Sequence, residues 1–302
     1  MLPTVKIAAC HVSPIFLSAE KTTEKALHLI DKAASAGANL VVFPEVFIPG
    51  FPLWASTGAP VDNEGCFQKY VEQSIYVDGP EIARLQAKAA ERGVVLSMGF
   101  SERSRRSVAC LWNSNVVIGE DGKMLVHHRK MCPTYWEKLI WSNGDGEGLR
   151  VCETKSAGRV GALICGENTN PLARFAMMAQ EEHVHVMCFP PAWPTKRVGG
   201  YKNKTANAVR GAAHSFEAKC FTVVCASFLD EHTRDVVEDM TGDSAARQVL
   251  DKTSQATTQF FGPDAVQIGD ELCEKEGIAY VECDLNKCIE GKQLHDVVGG
   301  EF

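Results

Sequence analysis

Residues 160–189 carry the pattern with the strongest consequences for the fold. An apolar run, Val160-Gly161-Ala162-Leu163-Ile164-Cys165, precedes an amphipathic stretch opened by Pro171, and a second strand-like run covers 184–189. Six apolar residues in a row are short for a buried helix and suit a strand covered on both faces. Two such strands joined through a helix form a parallel pair, because a parallel connection has to cross over the sheet. The spacing therefore predicts a helix over 172–182 between two buried strands.

The same alternation runs along most of the chain. Strands are expected at 5–10, 39–43, 94–99, 220–227 and 278–283, and helices at 18–36, 80–90 and 203–218. In the first helix Ala26, Leu29, Ile30 and Ala33 fall on one face, with Ser18 as N-cap and Gly37 as stop. Pro80 and Gly93 bracket the second helix. Residues 111–118 and 123–127 read as a hairpin around Glu120-Asp121-Gly122. Residues 128–149 have no clear period, and a long irregular segment in a compact domain is usually functional. A polar stretch around Asp243 and Ser244 and a turn at 261–264 mark the C-terminal third. No linker, repeat or low-complexity segment divides the sequence, so one α/β domain over 1–302 is expected, with sheet inside and helices outside.

Composition removes several function classes. A formal net charge of −7, with basic residues clustered only at Arg103, Arg105 and Arg106, argues against a nucleic-acid binder. Twelve cysteines occur without any Cys-x-x-Cys pair, and Cys10, Cys188, Cys220 and Cys225 lie inside apolar runs. That usage predicts free thiols and a cytoplasmic setting rather than a disulfide framework. His127-His128 and His183-x-His185 lack companion ligands at metal spacing, so no metal is expected. No basic segment followed by an apolar one opens the chain, and no apolar run is long enough to span a bilayer. Neither a signal peptide nor a membrane association is expected.

Three strand ends carry the candidate chemistry. Cys165 closes its strand just ahead of a helix, where open α/β sheets place their ligands and where peptide N–H groups face an anion. A cysteine standing alone is most often a small buried hydrophobe. Here it has company: Glu45 closes Phe43-Pro44-Glu45, a carboxylate after an apolar run that needs a partner or a purpose. Lys130 closes His128-Arg129-Lys130 after the hairpin. This Glu, Lys, Cys order, with Ile164-Cys165-Gly166-Glu167-Asn168 as its third member, resembles the nitrilase superfamily of carbon–nitrogen hydrolases over nearly the whole chain. Residues 129–138, Gly144-Asp145-Gly146, and Asn168 with 171–174 resemble the true nitrilase branch in particular.

The resemblance implies a four-layer α-β-β-α sandwich, which alternation by itself does not supply. It implies Cys165 as nucleophile, Glu45 as general base and Lys130 as the cation facing developing negative charge. Glu137 is implied as a second glutamate that holds the site and helps place water, and the backbone N–H of Gly166 as a further donor. The implied reaction converts a small nitrile to its carboxylic acid and ammonia through a thioimidate and a thioester on Cys165, with no metal or organic cofactor. An amidase of the same superfamily uses the same residues. A non-catalytic binding member is the third reading, opposed by the joint presence of Glu45, Lys130, Glu137 and Cys165. Gly166 stands where related enzymes often carry Trp, so a larger pocket beside the thiol is expected. Trp54, Tyr135, Trp136 and Trp193, with Phe51, are expected to line that pocket. The resemblance also implies a homodimer or higher homo-oligomer packed through 171–182 and 203–218. The sequence ends soon after 295–300, which favours dimers over long filaments.

Overall fold

In the segment Thr4–His11, period-two patterning sends alternate side chains into two different cores. Val5, Ile7 and Ala9 join one apolar cluster, and Ala8 and Cys10 join another. A strand buried on both faces has to sit between two layers. The computed structural model, which describes residues 1–195, 200–293 and 295–299, shows what those layers are.

In chain order the elements are β1 (Thr4–His11), α1 (Ala19–Ser35), β2 (Leu40–Val42), α2 (Glu64–Gln73), α3 (Pro80–Arg92), β3 (Val95–Arg103), β4 (Leu111–Ile118), β5 (Met124–Arg129), β6 (Cys152–Thr154) and β7 (Gly158–Ile164). They continue with α4 (Pro171–Met178), β8 (Val184–Phe189), α5 (Asn203–Ala218), β9 (Phe221–Ala226), α6 (Glu231–Thr241), α7 (Ser244–Asp251), β10 (Thr258–Phe261), β11 (Gln267–Leu272), β12 (Gly277–Asp284) and α8 (Lys287–Lys292). One sheet has the order β12-β1-β2-β3-β4-β5 and the other β11-β10-β9-β8-β7-β6. Each has a parallel centre, β1-β2-β3 in one and β7-β8-β9 in the other, flanked by antiparallel strands.

The inner faces meet in a shared core. Val5, Ile7, Leu40, Val42 and Val95 come from the first sheet, and Val160, Ala162, Val184, Val186, Phe221 and Val223 from the second. Behind the first sheet lie α1 and α3, through Ala26, Ile30, Ile82 and Leu85. Behind the second, α4 contributes Ala173 and Met177 and α5 contributes Ala208 and Ala212. This is the four-layer α-β-β-α sandwich. Among the described residues no helix is long and apolar enough to cross a membrane.

Several local expectations change on folding. Ser18 takes the N-cap position of α1, yet its side chain makes no capping bond. The expected 172–182 helix stops at Met178, because Glu181 at φ +56° turns the chain and delivers Glu182 to the interior. The polar stretch around Asp243 is the junction of two helices, α6 and α7, each capped by an aspartate that accepts from a backbone N–H: Asp230 from Thr233 and Asp243 from Ala245.

Candidate active site

The loops after β2, β5 and β7 bring their residues to one place. Lys130, straight after β5, is fully buried, and its Nζ donates to Glu45 Oε1 at 2.8 Å and to Glu137 Oε2 at 2.7 Å. Glu45 and Glu137 are buried as completely. One carboxylate oxygen of each and the Cys165 sulfur all lie within 4.8 Å of one another. Such a set of atoms could hold a metal ion, but the Lys130 ammonium already sits among them and supplies the cation.

Charge decides the protonation states. Two carboxylates surround one ammonium, so a thiolate would add a second uncompensated negative charge in a medium that screens poorly. Burial pushes the Cys165 thiol well above the ordinary cysteine range, and the Glu45 charge adds to the effect against the opposing pull of Lys130. Burial also pushes Glu45 up to about 7, with Lys130 opposing and Glu137 adding to the rise. Burial alone would lower Lys130, but the charges of Glu45 and Glu137 and the hydrogen bond to Glu137 outweigh it and hold the ammonium well above its usual range. The site thus holds a thiol, a permanent cation and a carboxylate balanced near neutrality. Glu45 Oε2 accepts no hydrogen bond among the described residues, so that oxygen is available to a thiol proton or a water.

The backbone aims the sulfur. Cys165 adopts φ +50°, a left-handed conformation that costs a non-glycine residue energy and persists only when its surroundings enforce it. Cys165 begins a single 3₁₀ turn, Cys165–Thr169, directly after β7. Asn168 donates through Nδ2 to the carbonyls of Leu163 at 3.2 Å and Cys165 at 3.1 Å, closing the turn across the sulfur-bearing residue.

Four supporting residues were not given roles by the sequence reading. Asn113 of β4 donates to Glu45 Oε1 at 2.7 Å. Glu167 accepts from the backbone N–H groups of Ile164 at 2.9 Å and Met131 at 2.7 Å, and its Oε2 lies 2.8 Å from His128 Nε2. One carboxylate thereby ties the strand end before Cys165 to the loop after Lys130. Thr134 precedes the 3₁₀ turn Tyr135–Leu139, its N–H donating to Glu137 Oε2 at 2.9 Å while its carbonyl accepts from the Glu137 N–H at 3.0 Å. Asn168 is the fourth. Glu167 and Asn168 lay inside the quoted Cys165 motif, and a second acid beside a strand-end cysteine was the available signal. Asn113 had none, since it faces the site only through sheet pairing.

The expected aromatic wall divides. Trp136 and Trp193 stack with ring centroids 5.1 Å apart, and Phe51 meets Trp136 edge-on at 5.4 Å. Tyr135, by contrast, is 80 % exposed and points to solvent. Trp54 is buried against Tyr70 and lines a separate surface cavity of about 270 Å³ with Phe67 and Leu139. The space expected beside Gly166 is also occupied: a Cβ there would lie 2.8 Å from Thr134 Oγ1. The missing side chain accommodates the Thr134 hydroxyl at the start of the neighbouring turn.

Residues 6–293 match the sequence profile of the family described as carbon-nitrogen hydrolase. A nitrilase from Penicillium rubens is 33 % identical over 302 residues, covering 98 % of this chain and 89 % of that protein. An arylacetonitrilase from Hypocrea virens is 34 % identical over 300 residues, covering 98 % of this chain and 88 % of that one. Among solved structures, a carbon-nitrogen hydrolase from Helicobacter pylori superposes with a TM-score of 0.75 at 20 % identity, covering 97 % of this chain and 93 % of that one.

Proposed function

The chain belongs to the carbon-nitrogen hydrolase family, and from that premise we propose that it hydrolyses an organic nitrile to the carboxylic acid and ammonia, with Cys165 as nucleophile. The observation that carries the reading is the Lys130 ammonium bonded to both Glu45 and Glu137, with the Cys165 sulfur inside the same small site. The nitrilase and arylacetonitrilase names of the relatives favour a nitrile over an amide.

A nitrile carbon is a weak electrophile, so attack needs sulfur to become a thiolate as the bond forms. Glu45 takes the Sγ proton while Sγ bonds to the nitrile carbon. The growing negative charge on nitrogen faces Lys130 and the N–H of Gly166, and that nitrogen receives the proton, giving a thioimidate. Water then adds to the thioimidate carbon, its proton leaving through Glu45. The tetrahedral adduct expels ammonia and leaves a thioester. A second water, deprotonated by Glu45, attacks the thioester carbon, and the sulfur leaves with the returning proton. The sum is one nitrile and two waters giving one carboxylic acid and one ammonia. Glu137 holds Lys130 against Glu45 throughout, so the ammonium cannot swing out of the pocket.

Purified protein is tested against a graded panel of aromatic, arylaliphatic and aliphatic nitriles and their amides, with ammonia release as the signal. Turnover of nitriles to acid, lost in Cys165→Ala, supports the reading. Release from amides alone would make the protein an amidase, and release from neither class would remove the catalytic reading.

A further inference from the structure

Behind the sulfur-bearing turn lies a second buried cluster to which the chemistry above gives no role. Glu182, His185 and His214 are 2 %, 0 % and 0 % exposed. Glu182 Oε2 lies 2.8 Å from His185 Nδ1, Glu182 Oε1 is bonded to His214 Nε2, and the two imidazoles stack with centroids 3.7 Å apart. Along the chain His185 has no companions at ligand spacing; folding supplies them from the turn after α4 and from α5. Gly161 of β7 makes room for the group, since a Cβ there would fall 2.1 Å from Glu182 Oε2. The three groups have the residue types of a metal site. Their spacing differs: ligands about 2.0–2.2 Å from a zinc ion stand more than 3 Å from each other, whereas these atoms are at hydrogen-bond distance.

The proton count follows from Asn168. Its Nδ2 hydrogens go to the carbonyls of Leu163 and Cys165, so the atom facing His185 Nε2 at 3.0 Å is Oδ1, an acceptor. His185 Nε2 therefore donates. Its other nitrogen faces a carboxylate oxygen, so one proton also lies between Nδ1 and Glu182 Oε2. His214 donates through Nε2, and its Nδ1 has no partner among the described residues, which fits a neutral ring. One carboxylate, two imidazoles and one extra proton make a group with no net charge, which is what a site closed to water tolerates.

We infer that Glu182, His185 and His214 form a buried, electrically neutral cluster that fixes the Asn168 amide and, through it, holds Cys165 in the left-handed conformation from which its sulfur attacks. Among the described residues the cluster reaches the active site through the His185–Asn168 bond, and Asn168 in turn grips the Cys165 carbonyl. These are positioning residues: none of them reaches the sulfur. The inference rests on Cys165 as nucleophile and deepens that reading.

Neutrality gives a discriminating test. In Glu182→Gln the amide N–H replaces the shared proton, donating to His185 Nδ1, while the amide oxygen still accepts from His214. Every bond is kept with no charge to balance. In Glu182→Leu or His185→Leu the chain of bonds is cut. Each full-length variant is measured by its melting temperature, by kcat and KM on the best nitrile, and by the rate of iodoacetamide labelling at Cys165 read by peptide mass spectrometry. Labelling needs no substrate, so it reports on the turn even if the nitrile reading fails. Folded His185→Leu and Glu182→Leu are expected to lose tenfold or more in kcat and in labelling with KM little changed, and Glu182→Gln to recover most of both. Should the leucine variants fail to fold, Asn168→Ala cuts the same link nearer the turn and is expected to show the same kcat-specific loss. Wild-type kcat and labelling in a folded leucine variant or in Asn168→Ala would overturn the inference, and so would a Glu182→Gln loss as large as that of Glu182→Leu.

Discussion

At the scale of single residues, the site is governed by one positive charge between two negative ones, and substitutions sort by whether they disturb that balance. Cys165→Ala removes a neutral thiol from a buried position and leaves the Lys130 pairings alone. Turnover is expected to vanish while circular dichroism and melting temperature stay close to wild type. Lys130→Met leaves Glu45 and Glu137 facing each other without a counter-ion. A loss of roughly 3–5 kcal/mol in unfolding free energy is expected, measured by urea titration, together with loss of activity. The base also predicts a pH profile. As the proposed base, Glu45 would have to be ionised to accept the thiol proton, and burial pushes it up to about 7. The rate kcat/KM should therefore fall as pH drops through that value, along a slope of one proton, and level off above it. Glu45→Gln keeps an oxygen for Asn113 and Lys130 to bond, so it should fold, lose that limb of the profile and fall about 10²–10⁴-fold in kcat. Glu45, Lys130, Glu137 and Cys165, which folding brings together, could be picked out because each closes a recognisable strand or motif. The protonation state of the thiol was not, because it depends on how many charges folding crowds around it.

At the scale of elements, the turns that carry the site are coupled to each other by single contacts. Gly166 follows Cys165 in one 3₁₀ turn, and Thr134, whose N–H donates to Glu137 Oε2, precedes another; a Cβ on Gly166 would press on the Thr134 hydroxyl oxygen. Sequence suggested that this glycine widens the pocket. The structure makes it the place where the turn of Cys165 packs on the turn of Glu137. Gly166→Ala should consequently lower kcat/KM by a similar factor on small and bulky nitriles, because it displaces Glu137 rather than a pocket wall. A loss confined to bulky nitriles would restore the pocket-size explanation. Adding Thr134→Ser, which removes a methyl and lets the hydroxyl give way, should recover part of the loss. Helix boundaries were readable where glycine or proline enforced them, as at Gly93 of φ +64°, which ends α3. They were misread where a charged side chain was wanted inside: the acidic text after Met178 continues a helical pattern, yet Glu182 has two buried histidines to meet. Helices α6 and α7 were missed for a related reason, since so few of their residues are apolar; Val237, Ala246, Val249 and Leu250 are the buried ones.

At the scale of the molecule, the alternation of strand and helix was plain in the sequence, but which strands share a sheet was not. A doubly covered apolar strand reads the same in one large sheet or in two facing ones. The division into two sheets depends on β4 and β5 continuing antiparallel beyond β3 on one side and on β12 returning beside β1 after the chain has built the other. That pairing is of the longest range in sequence and leaves no local trace. The outer layer over the second sheet has a further consequence. Inward residues of α4 and α5 pack on the sheet, yet Leu172 and Phe175 of α4 and Val209 and Phe216 of α5 remain largely exposed. Large apolar side chains gathered on two neighbouring helices mark an association surface, and a two-fold pairing of identical patches is the commonest way to cover one. Light scattering is expected to give a homodimer at micromolar concentration. Phe175→Glu with Val209→Glu should shift it toward monomer, because four like charges would then face one another across the pairing. The same shift should lower kcat, since α4 begins only a few residues after Cys165 and α5 carries His214. A double variant that is monomeric and fully active would separate assembly from catalysis. A wild-type protein that is monomeric at all accessible concentrations would leave these helices without a partner copy and refute the expected pairing.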